Sequence, residues 1–163
     1  MKSDKIITVA QASDLTKDLQ KINKKVVFTN GCFDLIHPGH IDYLRKAKAC
    51  GDILIIGLNS DASIQRLKGK ERPINDFYFR SSILAALEFV DYIVKFEDDT
   101  PLFLIKQILP NILIKGSDYT IDREGSISII NITNGVANLT QANVQTAGFT
   151  QFNNQAIDKR IKI

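Results

Sequence analysis

Cysteine is scarce in this chain of 163 residues: only Cys32 and Cys50 occur. Two cysteines build no disulfide framework, and their separation fits no metal-binding spacing. A reduced, cytoplasmic setting is the simplest expectation. Long apolar runs are also missing. No stretch reaches the ~20 residues needed to cross a bilayer, and the opening MKSDKIITVAQASDL lacks the apolar core of a signal peptide. No membrane partner is therefore expected. Charge of one sign is nearly balanced away, with 21 Lys and Arg against 18 Asp and Glu and a formal net charge of +3. That excess is too small to argue for a nucleic-acid binder, but it suits a pocket that receives several phosphates. No internal repeat or linker interrupts the chain, so residues 1–163 are read as a single domain. A chain of this length buries roughly two-thirds of its unfolded surface and needs no covalent staple.

What the sequence does contain is an alternation of strand-like and helix-like segments. Ser13 is placed to cap a helix running through Leu15, Leu19 and Ile22. Residues 25–29 (KVVFT) are β-branched and aromatic and predict a buried strand. A turn with Gly31, Pro38 and Gly39 leads to a helix over residues 41–50, ended by Gly51. Residues 53–58 (ILIIGL) are nearly all apolar, as a parallel strand covered on both faces should be. Then follow a helix over 80–89, a strand over 92–96, a helix over 101–108 and a strand over 112–115. This order predicts an α/β fold: a Rossmann-like, doubly wound parallel sheet with right-handed crossovers. Ligands of such sheets bind beyond the carboxyl ends of the strands, where residues 30–40 lie. From about residue 120 the character changes, and residues 126–155 are rich in Asn, Thr, Gln and Ser. A strand near 127–132 and a short final helix from Gln155 are predicted there.

The chemistry concentrates in TNGCFDLIHPGH, residues 29–40. It follows a buried strand and opens a helix, whose unpaired N–H groups attract phosphate. Gly31 and Gly39 permit close backbone approach, and Pro38 removes a donor that a first helical turn cannot use. A lone histidine is more often packed than catalytic. Here, however, the only two histidines of the chain, His37 and His40, stand three apart in one strand–glycine–helix junction. Two imidazole donors beside a triphosphate stabilise the charge that grows as pyrophosphate leaves. Zinc is the rival chemistry; Cys32 and Asp34 are nearby, but no ligand spacing supports a metal site.

These residues resemble the cytidylyltransferase-like HxGH nucleotidylyltransferases, and more closely the D-glycero-β-D-manno-heptose 1-phosphate adenylyltransferases. The likeness runs almost continuously over residues 26–119. It includes TNGCFDLIHPGH, YLRKAKACGD, GLNSDAS, RLKGKERPIN, Arg80, ALEFVDYIVKFEDDTP and ILIKGSDY. HxGH alone marks the superfamily; the combination is specific to the heptose-phosphate group. The resemblance implies catalytic roles for His37, His40 and Lys68. It implies a nucleotide cleft lined by Asn30, Gly31, Cys32, Phe33, His37, Gly39, His40, Lys115, Gly116 and Asp118. Asp34, Lys70, Arg72 and Arg80 become candidates for the acceptor phosphate, since a guanidinium fork matches phosphate oxygens. Asp34 has orienting the turn as its other candidate role. For Lys68 and Lys70 the alternative is a plain solvated loop, and for Arg80 an exposed helix residue. Lys48, on the helix after the signature, is read equally well as a surface residue.

The implied reaction transfers AMP from ATP to a heptose 1-phosphate, giving ADP-heptose for lipopolysaccharide or surface-glycan precursors. Mg²⁺ rides on the ATP phosphates. A homodimer is implied, and a separate sugar kinase must supply the acceptor. A cytidylyltransferase for glycerol 3-phosphate, or a nucleotide-binding homologue with impaired turnover, are the alternatives. The departure lies in the tail, where relatives carry a Gly-Gly segment and a Ser-Thr-Thr run that opens the last helix. Here Asn153, Asn154 and Gln155 stand near that run, with Thr150 its equivalent in another register.

Overall fold

The computed structural model describes residues 3–116, 127–133 and 136–138. The elements in chain order are β1 (Ile6–Ile7), α1 (Val9–Lys21), β2 (Val26–Gly31), α2 (Pro38–Lys48), β3 (Ile53–Asn59), α3 (Asp61–Lys68), α4 (Phe77–Ala86), β4 (Tyr92–Phe96), α5 (Leu102–Ile108), β5 (Ile112–Gly116), β6 (Ile127–Thr133) and β7 (Val136–Asn138). They form one seven-stranded sheet in the order β1-β4-β3-β2-β5-β6-β7. The first five strands in that order run parallel, and β6 and β7 add antiparallel at one edge.

Alternation along the strands explains the two helical layers. Val27, Leu54 and Ile56 point into one core with Leu44, Leu84 and Val90, beneath α2 and α4. Val26, Phe28 and Ile55 point into the other with Leu104, Ile105 and Ile108, beneath α1 and α5. Both faces are covered, so the parallel strands are apolar at almost every position. Each fully buried Ile or Leu of β3 contributes roughly 1.5–3 kcal/mol relative to exposure. The strand order reverses between β2 and β5, and the crevice at their carboxyl ends is where such sheets bind ligands.

Several boundaries differ from the sequence expectation. α1 starts at Val9, because Thr8 and Gln11 form a capping box. Ser13 lies inside that helix and donates to the carbonyl of Gln107 at 2.7 Å. α2 ends at Lys48 with Ala49 as its cap, ahead of Gly51. α3 is an addition to the expected elements: Ser60 caps it by accepting from the N–H of Ser63 at 3.1 Å. α4 begins at Phe77, capped by Asp76, which puts Arg80 inside the helix. The outer side of α4 is apolar, with Tyr78, Phe79 and Ile83 exposed, while Arg80 is buried. The final helix expected from Gln155 lies outside the described residues. Among those residues, no helix is long and apolar enough to cross a membrane.

Candidate active site

β2 runs beside β3 and brings Asn30 and Gly31 opposite Gly57 and Leu58 at the carboxyl edge of the sheet. The chain then turns sharply. Phe33 takes a left-handed backbone, φ 44°, which is uncommon for a residue with a side chain. The turn buries its ring against His40, with centroids 5.2 Å apart. A Cβ at position 31 would stand 2.9 Å from the Phe33 ring, so the turn needs glycine there. His37 is the N-cap residue of α2 but makes no side-chain cap bond, and Pro38 opens the helix. Pro38 has no N–H and the His40 N–H donates to the His37 carbonyl at 2.9 Å, so the Gly39 N–H is the first-turn amide left for an anion. The two imidazoles face each other at 4.0 Å with a 36° tilt. A Cβ at position 39 would stand 3.0 Å from Cε1 of His37, so Gly39 is what lets that ring fold over the helix start.

His40 is half-buried, and its Nδ1 is buried with no hydrogen-bond partner in the structure. Burial, then the neighbouring His37, then Lys68 push its pKa down to about 4. At neutral pH the free protein therefore holds this imidazole neutral. Lys68 is the last residue of α3 and is exposed. Its charge acts on both His40 and Cys32, so its ammonium lies near both. Cys32 is half-buried. Burial raises its thiol pKa, while Lys68 and Arg80 pull the other way. The net rise keeps it a protonated wall of the cleft and not a nucleophile.

Asp34 acts inside the protein. One carboxylate oxygen accepts from Arg72 at 2.8 Å, and the other accepts from the backbone N–H of Ile74 at 2.8 Å and of Asn75 at 3.1 Å. The Asn75 side chain in turn donates to the Asp34 carbonyl at 2.8 Å. This ties the loop carrying Lys70 and Arg72 onto the HxGH turn. Of the two roles read from the sequence, orienting the turn is the one these bonds perform.

Arg80 requires a correction. It is neither the exposed helix residue nor an available phosphate ligand, because its side chain is 0% exposed. Nε donates to the Asn75 carbonyl at 3.0 Å and Nη1 to the Cys32 carbonyl at 2.7 Å. Nη2 donates to the Asn59 carbonyl at 2.9 Å and the Asp61 carboxylate at 2.6 Å. Lys48 sits at the far edge of the sheet, where it pairs with Asp91 at 2.6 Å. Lys115 is exposed on β5 beside Gly116, and Asp118 lies outside the described residues.

The structure also shows residues to which the sequence reading gave no role. Thr29 and Tyr43 share a hydroxyl–hydroxyl hydrogen bond, and Tyr43 reaches the Ile114 carbonyl at 3.4 Å, across the β2–β5 switch point. Asp61 and Asn59 serve Arg80. Their only sequence signal was the GLNSDAS stretch. Among the described residues no group of three His, Cys, Asp or Glu side chains is placed to hold a metal ion.

The cytidylyltransferase-like family model matches residues 28–149. The bifunctional protein HldE of a Nitratiruptor species is 60% identical over 105 residues, which are 64% of this chain and 23% of that protein. HldE of Helicobacter hepaticus is 59% identical over 115 residues, 71% of this chain and 23% of that protein. The chain thus spans under a quarter of the length of these curated relatives. A crystal structure of the lipopolysaccharide core biosynthesis protein from Thermoplasma volcanium aligns with a TM-score of 0.53 at 31% identity, covering 61% of this chain and 80% of that one. The chain belongs to the cytidylyltransferase-like family.

Proposed function

We propose that this protein transfers the adenylyl group of ATP to a heptose 1-phosphate, releasing pyrophosphate and forming an ADP-heptose for lipopolysaccharide precursors. The carrying observation is the uncapped start of α2 with two facing imidazoles above it. The acceptor class rests on the combined motifs around it, and the likeness to the lipopolysaccharide core biosynthesis protein supports it. A phosphate oxygen of the sugar 1-phosphate forms a bond to the α-phosphorus as the bond to the bridging α–β oxygen breaks. Pyrophosphate leaves with that electron pair. The nucleophile is already anionic, so no general base is needed, and catalysis reduces to positioning and neutralising charge. We assign this task to His37, His40, Lys68 and the Gly39 amide at the start of α2.

Mg²⁺ would add charge neutralisation when bound. The described residues offer it no carboxylate set, since Asp34 is occupied by Arg72 and Asp61 by Arg80. The ion is therefore expected to arrive on the ATP phosphates, as Mg²⁺ prefers. The test is pyrophosphate release by purified protein with ATP, Mg²⁺ and a panel of sugar 1-phosphates, run beside CTP with glycerol 3-phosphate. Turnover only in the second arm reassigns the substrate. ATP binding without release in either arm reassigns the protein as a nucleotide binder.

Two further outcomes follow from the same site. Lys68→Ala is expected to lower kcat/KM on the order of tenfold, the value of one charge-assisted contact; unchanged kinetics would make Lys68 a solvated surface charge. A bound triphosphate favours the protonated form of His40, so nucleotide binding should take up protons. Affinity should then rise as pH falls below neutrality, levelling off near the free value of about 4. Calorimetry at about pH 5.5, between that free value and neutrality, in buffers of different ionisation enthalpy measures this. Zero uptake would place His40 away from the phosphates. A homodimer belongs to this reading as well, supported by the uncharged outer face of α4. A monomer by light scattering at working concentration would remove it.

A further inference from the structure

We infer that Arg80 is the positioning residue of the cleft: by holding the Cys32, Asn59 and Asn75 carbonyls and the Asp61 carboxylate at once, it sets the spacing between the imidazoles and the Lys68 ammonium. The inference rests on the nucleotidyl-transfer reading above.

Each of its acceptors is the root of a cation-bearing segment. Cys32 precedes the Phe33 turn that leads to His37 and His40. Asn59 ends β3, and Asp61 opens α3, whose last residue is Lys68. Asn75 closes the loop of Lys70 and Arg72 and bonds Asp34, which holds Arg72. One planar guanidinium carries five N–H donors in a fixed fork, and four of them are engaged here at 2.6–3.0 Å. Asp61 reinforces the hub by accepting from the backbone N–H of Phe77 at 3.2 Å. Lysine carries the same charge, but its ammonium is a compact point and cannot reach four acceptors lying in different directions. Arg80 touches no solvent in this structure, so its effect on the reaction passes through the backbone it holds.

The test uses Arg80→Lys and Asp61→Asn in the full chain. With only two histidines present, NMR titration reports His40 directly, and it needs no turnover. Arg80→Lys should remain folded by circular dichroism and melt at a lower temperature. Its His40 midpoint should rise from about 4 toward the ordinary 6.5, because the loosened turn rehydrates the ring and moves it from Lys68. Its kcat should fall by about 10²-fold, the scale of an ångström-level misplacement, with a smaller change in KM for ATP. Asp61→Asn should shift both quantities less, in the same direction. A folded Arg80→Lys protein with wild-type His40 midpoint and kcat would overturn the inference and leave Arg80 as a fold-holding residue. If Arg80→Lys does not fold, a wild-type titration and kcat in Asp61→Asn overturns it instead. Absence of pyrophosphate release by the wild-type chain defeats the transfer reading separately, while the His40 titration still decides whether Arg80 sets the cleft geometry.

Discussion

Replacing His40 or His37 with alanine is expected to lower the rate of pyrophosphate release by about 10²-fold or more, the usual loss for one transition-state donor. The two rings are 4.0 Å apart above the same helix start, so they act on one cluster of oxygens. The double variant should therefore lose less than the product of the two single losses, as expected for residues that work as a unit. His37 is exposed, and its removal should leave the melting temperature almost unchanged. His40 packs on Phe33, so its removal should cost some stability as well. Circular dichroism separates that cost from the catalytic one. Normal turnover in both single variants would show that the imidazoles are packing residues, and the site assignment would have to be abandoned.

Asp34→Ala is expected to destabilise the fold by roughly 2–4 kcal/mol, read from the denaturant midpoint. The substitution leaves two part-buried backbone N–H groups without their acceptor and releases the partly exposed Arg72 guanidinium, all of which now share one buried carboxylate. The wild-type protein should show the matching pH dependence. Burial raises the Asp34 pKa, but the Asn75 N–H, the Arg72 guanidinium and the Ile74 N–H together hold it below the ordinary 3.8. A carboxyl depressed in the folded state contributes its full stability above the unfolded value and loses it as pH falls through the lower folded value. Stability should therefore decline below about pH 4 in the wild type and decline less steeply in Asp34→Ala. Parallel pH curves for the two proteins would show that the carboxylate is not held as described.

The parallel core was legible because burial on two faces leaves a plain record in the chain. Residues 53–58 admit no charged side chain, and they form the centre of β3 with Leu54, Ile55, Ile56 and Leu58 all 0% exposed. The HxGH turn was legible for a related reason. Its glycines, proline and histidines act within a dozen residues, so their spacing states their geometry. α3 was not, because Ser60, Asp61 and Ser63 carry no apolar stripe long enough to declare a helix; the Ser60 cap and the buried Ile64 hold it in place. The start of α1 was misplaced because Ser13 and Thr8 are both good caps, and only the Gln11 side chain chooses Thr8.

By itself, then, the sequence determined a doubly wound sheet and a histidine-bearing turn at its carboxyl edge. Both follow from local periodicity and from residues close together in the chain. Only the tertiary structure decided which cations face the cleft. Arg72 and Arg80 read alike as phosphate forks, yet Arg80 turns fully inward and Arg72 spends a donor on Asp34. The acceptors that turn Arg80 inward come from Cys32, 48 residues away, and from Asn59, 21 residues away. A long side chain with several rotatable bonds goes where its hydrogen-bond partners are. Those partners are strand-end carbonyls that meet only when β2 and β3 lie side by side.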